Sequence, residues 1–258
     1  MKNKKALIII IVALLAIAAI LYFAVIKPGQ KPAAKAQLKM GTNAAFPPYE
    51  YYENEKVVGI DAEIAAAIAD KLGMELVIED MEFKSIINAV TTGKVNIGMA
   101  GMTVTDERKQ SVNFTESYAT GIQSIIVKED SAIASVDDLY AEGATYKIGV
   151  QESTTGDIYC TDDFGDARVM KYMNGPAAVE ALKTGKVDCV IIDNQPAKAF
   201  VAANEGLKIL DTSYAEEDYA IAVALDNTEL LDKINAALKE LIADGTVEKI
   251  VAKYISAE

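Results

Sequence analysis

A helix, a Gly turn and a buried strand occur twice in this chain with the same four residues at the turn. Thr92-Gly93-Lys94-Val95 and Thr184-Gly185-Lys186-Val187 lie 92 residues apart, and each opens an apolar run that ends in polar residues. The first continues Asn96-Ile97-Gly98-Met99-Ala100-Gly101-Met102-Thr103, and the second Asp188-Cys189-Val190-Ile191-Ile192-Asp193. Helical patterns over 85–91 and 177–182 precede the two turns. Ligands of open α/β sheets bind at the carboxyl ends of strands. Two copies therefore predict two lobes, each aiming a strand end at a shared cleft. The four letters alone are equally a common αβ turn repeated by chance, so the residues after the strands must decide.

The first 36 residues stand apart from the fold. Lys2, Lys4 and Lys5 precede an unbroken apolar run over 6–26, 21 residues long. At about 1.5 Å per residue it can cross the roughly 30 Å hydrocarbon layer of a membrane. The small-x-small site Ala34-Lys35-Ala36 is the feature of a cleavable signal, but it lies beyond the run, whose length favours an uncleaved anchor. Either way the body is expected outside the cytoplasm, with the amino end inside. Residues 27–36 (KPGQKPAAKA) read as a tether. Six of the 25 basic residues and none of the 38 acidic ones fall in 1–36, so the body holds 19 basic against 38 acidic, a net charge of −19. That argues against nucleic acid and anionic lipid as partners.

The chain has no histidine, hence neither the commonest metal ligand nor the commonest general base. Two cysteines, Cys160 and Cys189, do not make a zinc site; in an exported chain they are compatible with one disulfide or with two buried thiols. No metal, cofactor or catalytic residue is expected.

Strand-like runs alternate with amphipathic helices along the body, the pattern of an α/β protein. Strands are predicted over 38–42, 74–78, 123–127, 147–150 and 219–223, the last returning to the first lobe. Asp61 is placed as the cap of a helix with apolar Ile64, Ile68 and Leu72, stopped by Gly73. Thr105-Asp106-Glu107-Arg108 is read as opening another helix, with a Thr cap and acids in its first turn. A short helix over 136–140, one starting at Ser153-Thr154-Thr155-Gly156, and one over 195–203 fall in the second lobe. Two helices separated by Gly245 close the chain, and their apolar stripes read as packing.

Four cues converge on a zwitterion. Arg108 lies shortly after the first repeat strand, and a guanidinium grips a carboxylate with two parallel hydrogen bonds. Asp193 ends the second; a carboxylate at the end of a buried strand needs a partner, which an ammonium or the N-terminus of the next helix supplies. Thr154-Thr155-Gly156 begins a helix directly after a strand, where free N–H groups hold anions. Phe46, in a Pro-rich loop, and Phe83 are placed to sandwich a side chain, although an isolated Phe is more often than not simply core.

Six stretches in order resemble the bacterial solute-binding proteins that deliver polar amino acids to ATP-driven importers. They are Gly41-Thr42-Asn43 with Pro47-Pro48-Tyr49; Val58-Gly59-Ile60-Asp61; Ala100-Gly101-Met102-Thr103-Val104-Thr105-Asp106-Glu107-Arg108; Phe114-Thr115-Glu116-Ser117-Tyr118; Gly149-Val150-Gln151 with Ser153-Thr154-Thr155; and Val187-Asp188-Cys189 with Asp193. The similarity spans about 38–255. It implies a two-lobe, periplasmic-binding-protein-like (type II) α/β fold, with lobe 1 over 37–119 and 221–258, lobe 2 over 120–220, and hinges near 118–122 and 218–220. It implies that Arg108, with the Thr155 backbone, binds an α-carboxylate. Asp193, Gly101 and Thr103 then hold the α-ammonium, and Phe46 and Phe83 flank the side chain. Asn43 stands where many relatives have Asp, which favours an uncharged polar ligand such as glutamine over a basic one. Ser153 replaces a usual Gly, and Glu152 beside it is unusual.

The expected function is therefore an extracytoplasmic, monomeric binding protein that captures a free amino acid by hinge closure and passes it to ABC permease subunits. A dehydratase on the same scaffold would need a general acid in the cleft besides Asp193, and none is evident. A ligand-sensing ectodomain would need a second membrane span, and no second run of that length follows.

Overall fold

The computed structural model describes residues 35–212 and 214–255. The anchor or signal expected over 1–36 thus lies outside the described residues, except for its last two. Strand β1 (Gln37–Thr42) is followed by a small antiparallel sheet of β2 (Ala45–Phe46), β3 (Glu50–Glu53) and β4 (Lys56–Val58). Helix α1 (Ile60–Lys71), β5 (Glu75–Asp80), α2 (Phe83–Thr91), β6 (Ile97–Gly98), a 3₁₀ turn (Arg108–Gln110) and β7 (Val112–Phe114) come next. The long β8 (Ala119–Lys128) leads into α3 (Asp137–Tyr140), β9 (Ile148–Gln151), α4 (Thr155–Phe164) and β10 (Val169–Tyr172). Then follow α5 (Gly175–Lys183), β11 (Cys189–Asp193), α6 (Asn194–Ala203), β12 (Leu207–Ile209) and β13 (Ala215–Tyr219). The described chain closes with β14 (Ala222–Ala224), α7 (Thr228–Ala243) and α8 (Thr246–Tyr254).

Two lobes are organised by two sheets. One has the order β5-β1-β6-β14-β7, the other β10-β9-β11-β8-β12, with β13 also paired to β8. In each, the central pairs of β1 with β5 and β6, and of β9 with β10 and β11, are parallel. Ile60, Ile64 and Ile68 recur every four residues along α1 and are fully buried, meeting Ile234, Leu238 and Leu241 of α7 in one cluster. Each such side chain contributes about 1.5–3 kcal/mol by leaving water. A separate cluster lies under the second sheet, where Ile125, Ile148, Val150 and Ile191 surround Cys160 and Cys189. Of the two alternatives open for the cysteines, both are free, buried thiols, and burial pushes them up, Cys189 to about 12.

The repeated turn is the same device in both lobes. Gly93 and Gly185 adopt left-handed φ values of 71° and 72°, which a Cβ would strain. The Gly93 N–H donates to Val90 O and the Gly185 N–H to Leu182 O, both at 3.1 Å. Asn96 Oδ1 then accepts from Lys39 N at 2.8 Å, and Asp188 Oδ2 from Lys147 N at 2.7 Å, tying each repeat to the start of its neighbouring strand. Val95 and Val187 are buried while Lys94 and Lys186 face solvent.

Three local expectations are corrected. The Thr105 cap forms, since Arg108 N donates to its Oγ1 at 3.1 Å, but only a 3₁₀ turn follows. The chain must re-enter the sheet at Val112 to pair with β14, which leaves no length for a helix. Asp61 lies inside α1, and its buried carboxyl accepts from the Gly101 N–H and the Tyr118 hydroxyl, both at 2.9 Å, rather than capping. The strand expected over 219–223 is two strands: Tyr219 pairs with Ala119 of β8, while Ala222 pairs with Gly98 and Phe114 in the other sheet.

Candidate ligand-binding site

The carboxyl ends of five strands meet around one cavity. Asn43 follows β1, Phe83 opens α2 after β5, and Ala100, Gly101 and Thr103 follow β6. From the second lobe come Gln151 at the end of β9, Thr154 and Thr155 at the start of α4, and Asp193 at the end of β11. Phe46, Glu50 and Arg108 complete the lining. All eight residues expected from the sequence, Asn43, Phe46, Phe83, Gly101, Thr103, Arg108, Thr155 and Asp193, line it.

Arg108 is buried and aimed by two carbonyls. Its Nη1 donates to Thr103 O at 2.7 Å and its Nη2 to Ser153 O at 3.0 Å, so one side chain bridges the lobes. Its Cζ sits 5.3 Å above the Phe83 ring, a cation–π contact. Burial lowers its proton affinity from the ordinary value, and the Glu217 carboxylate opposes that fall. Ser153 holds a left-handed φ of 66°, and this turns its carbonyl to Arg108 while its N–H donates to Asp157 Oδ2 at 2.9 Å. The backbone there does what a glycine would do, at the strain cost of a Cβ.

Asp193 does not spend its carboxyl on capping α6. It accepts from Gln123 Nε2 at 2.9 Å and from the Tyr219 hydroxyl. Burial first, and then the Glu217 carboxylate, push it up to about 7. Thr103 Oγ1 donates to Glu217 Oε2 at 3.1 Å and lies 3.4 Å from Thr155 Oγ1. Gly101 has φ 51°, and a Cβ on it would stand 2.8 Å from Phe46 Cε1, so this corner admits only glycine. Its N–H is taken by Asp61 at 2.9 Å.

The sequence reading missed Glu50 and Gln151 in the wall, and Gln123, Glu217 and Tyr219 behind it. Glu50 is only 1% exposed, with Oε2 lacking a donor. Burial, then the Asp61 charge, raise it well above the usual carboxylate range. Asn43 is already engaged: its Nδ2 donates to Met81 O at 3.0 Å and its Oδ1 accepts from Gln151 Nε2 at 2.9 Å. A buried Glu beside aromatic Tyr49 and Tyr51 was the available signal, and it went unread because β3 is only four residues long.

Two α/β lobes enclosing a cavity with a guanidinium and two carboxyls in its wall define a solute-binding protein. Residues 38–257 match the family described as bacterial extracellular solute-binding proteins, family 3, and the chain belongs to that family of binders, not enzymes. The arginine-binding extracellular protein ArtP of Bacillus subtilis (strain 168) is 34% identical over 253 residues, covering 95% of this chain and 98% of the relative. An ancestral arginine-binding protein solved with arginine is 41% identical, with a TM-score of 0.80 over 86% of this chain and 99% of that one. The same kind of ancestral protein solved with glutamine is 39% identical, with a TM-score of 0.81 over the same 86% and 99%.

Proposed function

We propose that this protein is the amino-acid-binding component of an ABC importer, and that its ligand is arginine. The observation that carries the reading is the charge layout of the cavity wall. Arg108, with the Thr155 backbone, takes the α-carboxylate; Asp193, the Gly101 carbonyl and Thr103 take the α-ammonium. Phe46 and Phe83 flank the side chain. Glu50 is the carboxyl left over in the wall, and a guanidinium supplies donors in a fixed fork. The names of the arginine-binding relatives support this choice. Glutamine is the second reading, favoured by Asn43 and by the neutral form in which burial holds Glu50.

Lobe 1 comprises 37–119 with 221–258 and lobe 2 comprises 120–220, hinged at 118–122 and 218–220 in the type II manner. The antiparallel crossing of β8 and β13 at Ala119–Tyr219 and Thr120–Asp218 supports those hinges. Ligand contacts from both lobes favour the closed form over the open one. The protein acts as a monomer outside the cytoplasm, held by 1–36, and delivers ligand to permease subunits. A thermal-shift panel of the twenty amino acids tests the ligand assignment. Arginine is expected to give the largest shift, with glutamine behind it; at 100 times the dissociation constant a ligand stabilises by about 2.7 kcal/mol. No shift with any amino acid would sink the proposal.

A further inference from the structure

Glu50 does not stand alone in the wall. It is paired with Asp61, which is fully buried and does not itself line the cavity. Asp61 Oδ2 is saturated by the Gly101 N–H and the Tyr118 hydroxyl, whereas Asp61 Oδ1, like Glu50 Oε2, is buried without a donor. Asp61 N donates to Tyr49 O at 2.9 Å, which sets α1 against the strand that begins with Glu50, and the two buried carboxyls act on each other there. Two carboxylates cannot donate to one another, so the donor missing from both is a proton held between them.

We propose that Glu50 and Asp61 share one proton, and that its position sets which side-chain end the cavity accepts. With the proton on Glu50 and donated to Asp61, the wall presents a neutral carboxyl oxygen that accepts from the amide N–H of glutamine. With the proton passed to Asp61, Glu50 is an acceptor-only carboxylate suited to the guanidinium of arginine. No bond other than O–H changes, and no proton leaves the pair, so one site reads a neutral and a cationic end group at neutral pH. Asp61 is the positioning residue, acting on the ligand through Glu50. The inference rests on the amino-acid reading above and deepens it.

The surroundings leave the pair little alternative. The groups that bear on it are Tyr49, Tyr118, Asp80 and Asp193, all phenolic or acidic, so none of them neutralises a doubly charged pair. Tyr49 and Tyr118 are themselves pushed upward by burial and by these carboxylates, and they stay neutral. Burial raises Asp61 to about 6, against opposing hydrogen bonds from Gly101 and Tyr118. Below that pH a second proton enters, Glu50 loses the partner that can take its proton, and arginine must expel one to bind.

The test is calorimetric titration of the purified protein with L-arginine and with L-glutamine from pH 5 to pH 8. The ratio of arginine to glutamine affinity is expected to be flat above about pH 6.5 and to fall towards tenfold per unit below about pH 6, the limit for linkage to one proton. Asp61→Asn keeps an acceptor for Gly101 and Tyr118 and turns an amide N–H to Glu50, which favours ionised Glu50. The ratio in that variant is expected to move at least tenfold towards arginine at pH 7.5, and a merely structural role for Asp61 would weaken both ligands alike. Binding of both amino acids with a ratio that ignores pH overturns the shared proton, whether or not the variant folds. Binding of neither by the unmodified protein overturns the ligand assignment and, with it, this inference.

Discussion

Replacing Arg108 with Met separates what this side chain does for the ligand from what it does for the fold. Arg108 is 7% exposed, and its guanidinium bridges the lobes through the Thr103 and Ser153 carbonyls at 2.7 and 3.0 Å. Losing those charge-assisted bonds costs the empty protein about 1.5–3 kcal/mol each. Against that, the variant no longer buries a cation whose burial is already opposed enough to lower its proton affinity. These terms oppose each other, so the melting midpoint of the empty protein should move little. Binding has no such compensation. The ligand carboxylate enters a desolvated wall with its partner removed, a loss of about 2–5 kcal/mol, or roughly thirtyfold to a few thousandfold in affinity. Titration calorimetry with L-arginine reads the loss directly, and the ligand-induced melting shift should vanish while the unliganded midpoint stays. Affinity within threefold of the unmodified protein would refute the assignment of Arg108.

Three further outcomes follow from the geometry. Asp193 must be ionised to hold an ammonium, and its proton leaves at about pH 7, so affinity should fall as pH drops through 7. Because that folded value lies above the unfolded one, ionising Asp193 destabilises the empty protein as pH rises from about 4 to 7; Asp193→Asn should therefore melt higher at pH 8 while losing ligand. Gly101→Ala places a Cβ 2.8 Å from Phe46 Cε1 in a left-handed backbone, costing about 1–2 kcal/mol for the backbone alone and displacing Phe46, as unfolding and binding titrations would register. Lys84 Nζ meets Glu152 Oε2 at 3.0 Å across the cleft mouth, with side chains 46% and 41% exposed. Lys84→Met should change affinity less than threefold, because exposed pairs are worth about 0–1 kcal/mol; a larger change would make this pair a latch.

The parts of the site legible in the sequence were those fixed by local spacing. Arg108 and Asp193 could be placed because each follows a repeat strand at short range, and a strand end in an α/β sheet has a known destination. Thr155 could be placed because a Thr cap after a strand marks a helix start. Asp61 misled for the same reason: an acid at the start of a helix reads as a cap whether it faces water or the core. Only the arrival of Gly101 and Tyr118, 40 and 57 residues away, distinguishes the two. Glu217 and Gln123 face each other across the chain crossing, 94 residues apart, and no local pattern announces such a pair. The break at 220–221 was likewise invisible, since the apolar run 219–223 continues through a switch of partner sheet.

The central claim is that the cavity recognises an α-amino acid by its carboxylate and ammonium together with a cationic side-chain end. Titration of L-arginine beside agmatine, which is arginine without its carboxylate, tests it most directly. The account predicts that L-arginine binds and that agmatine is at least about thirtyfold weaker, the lower end of the loss for an unpaired buried charge. Equal affinity for the two would contradict it.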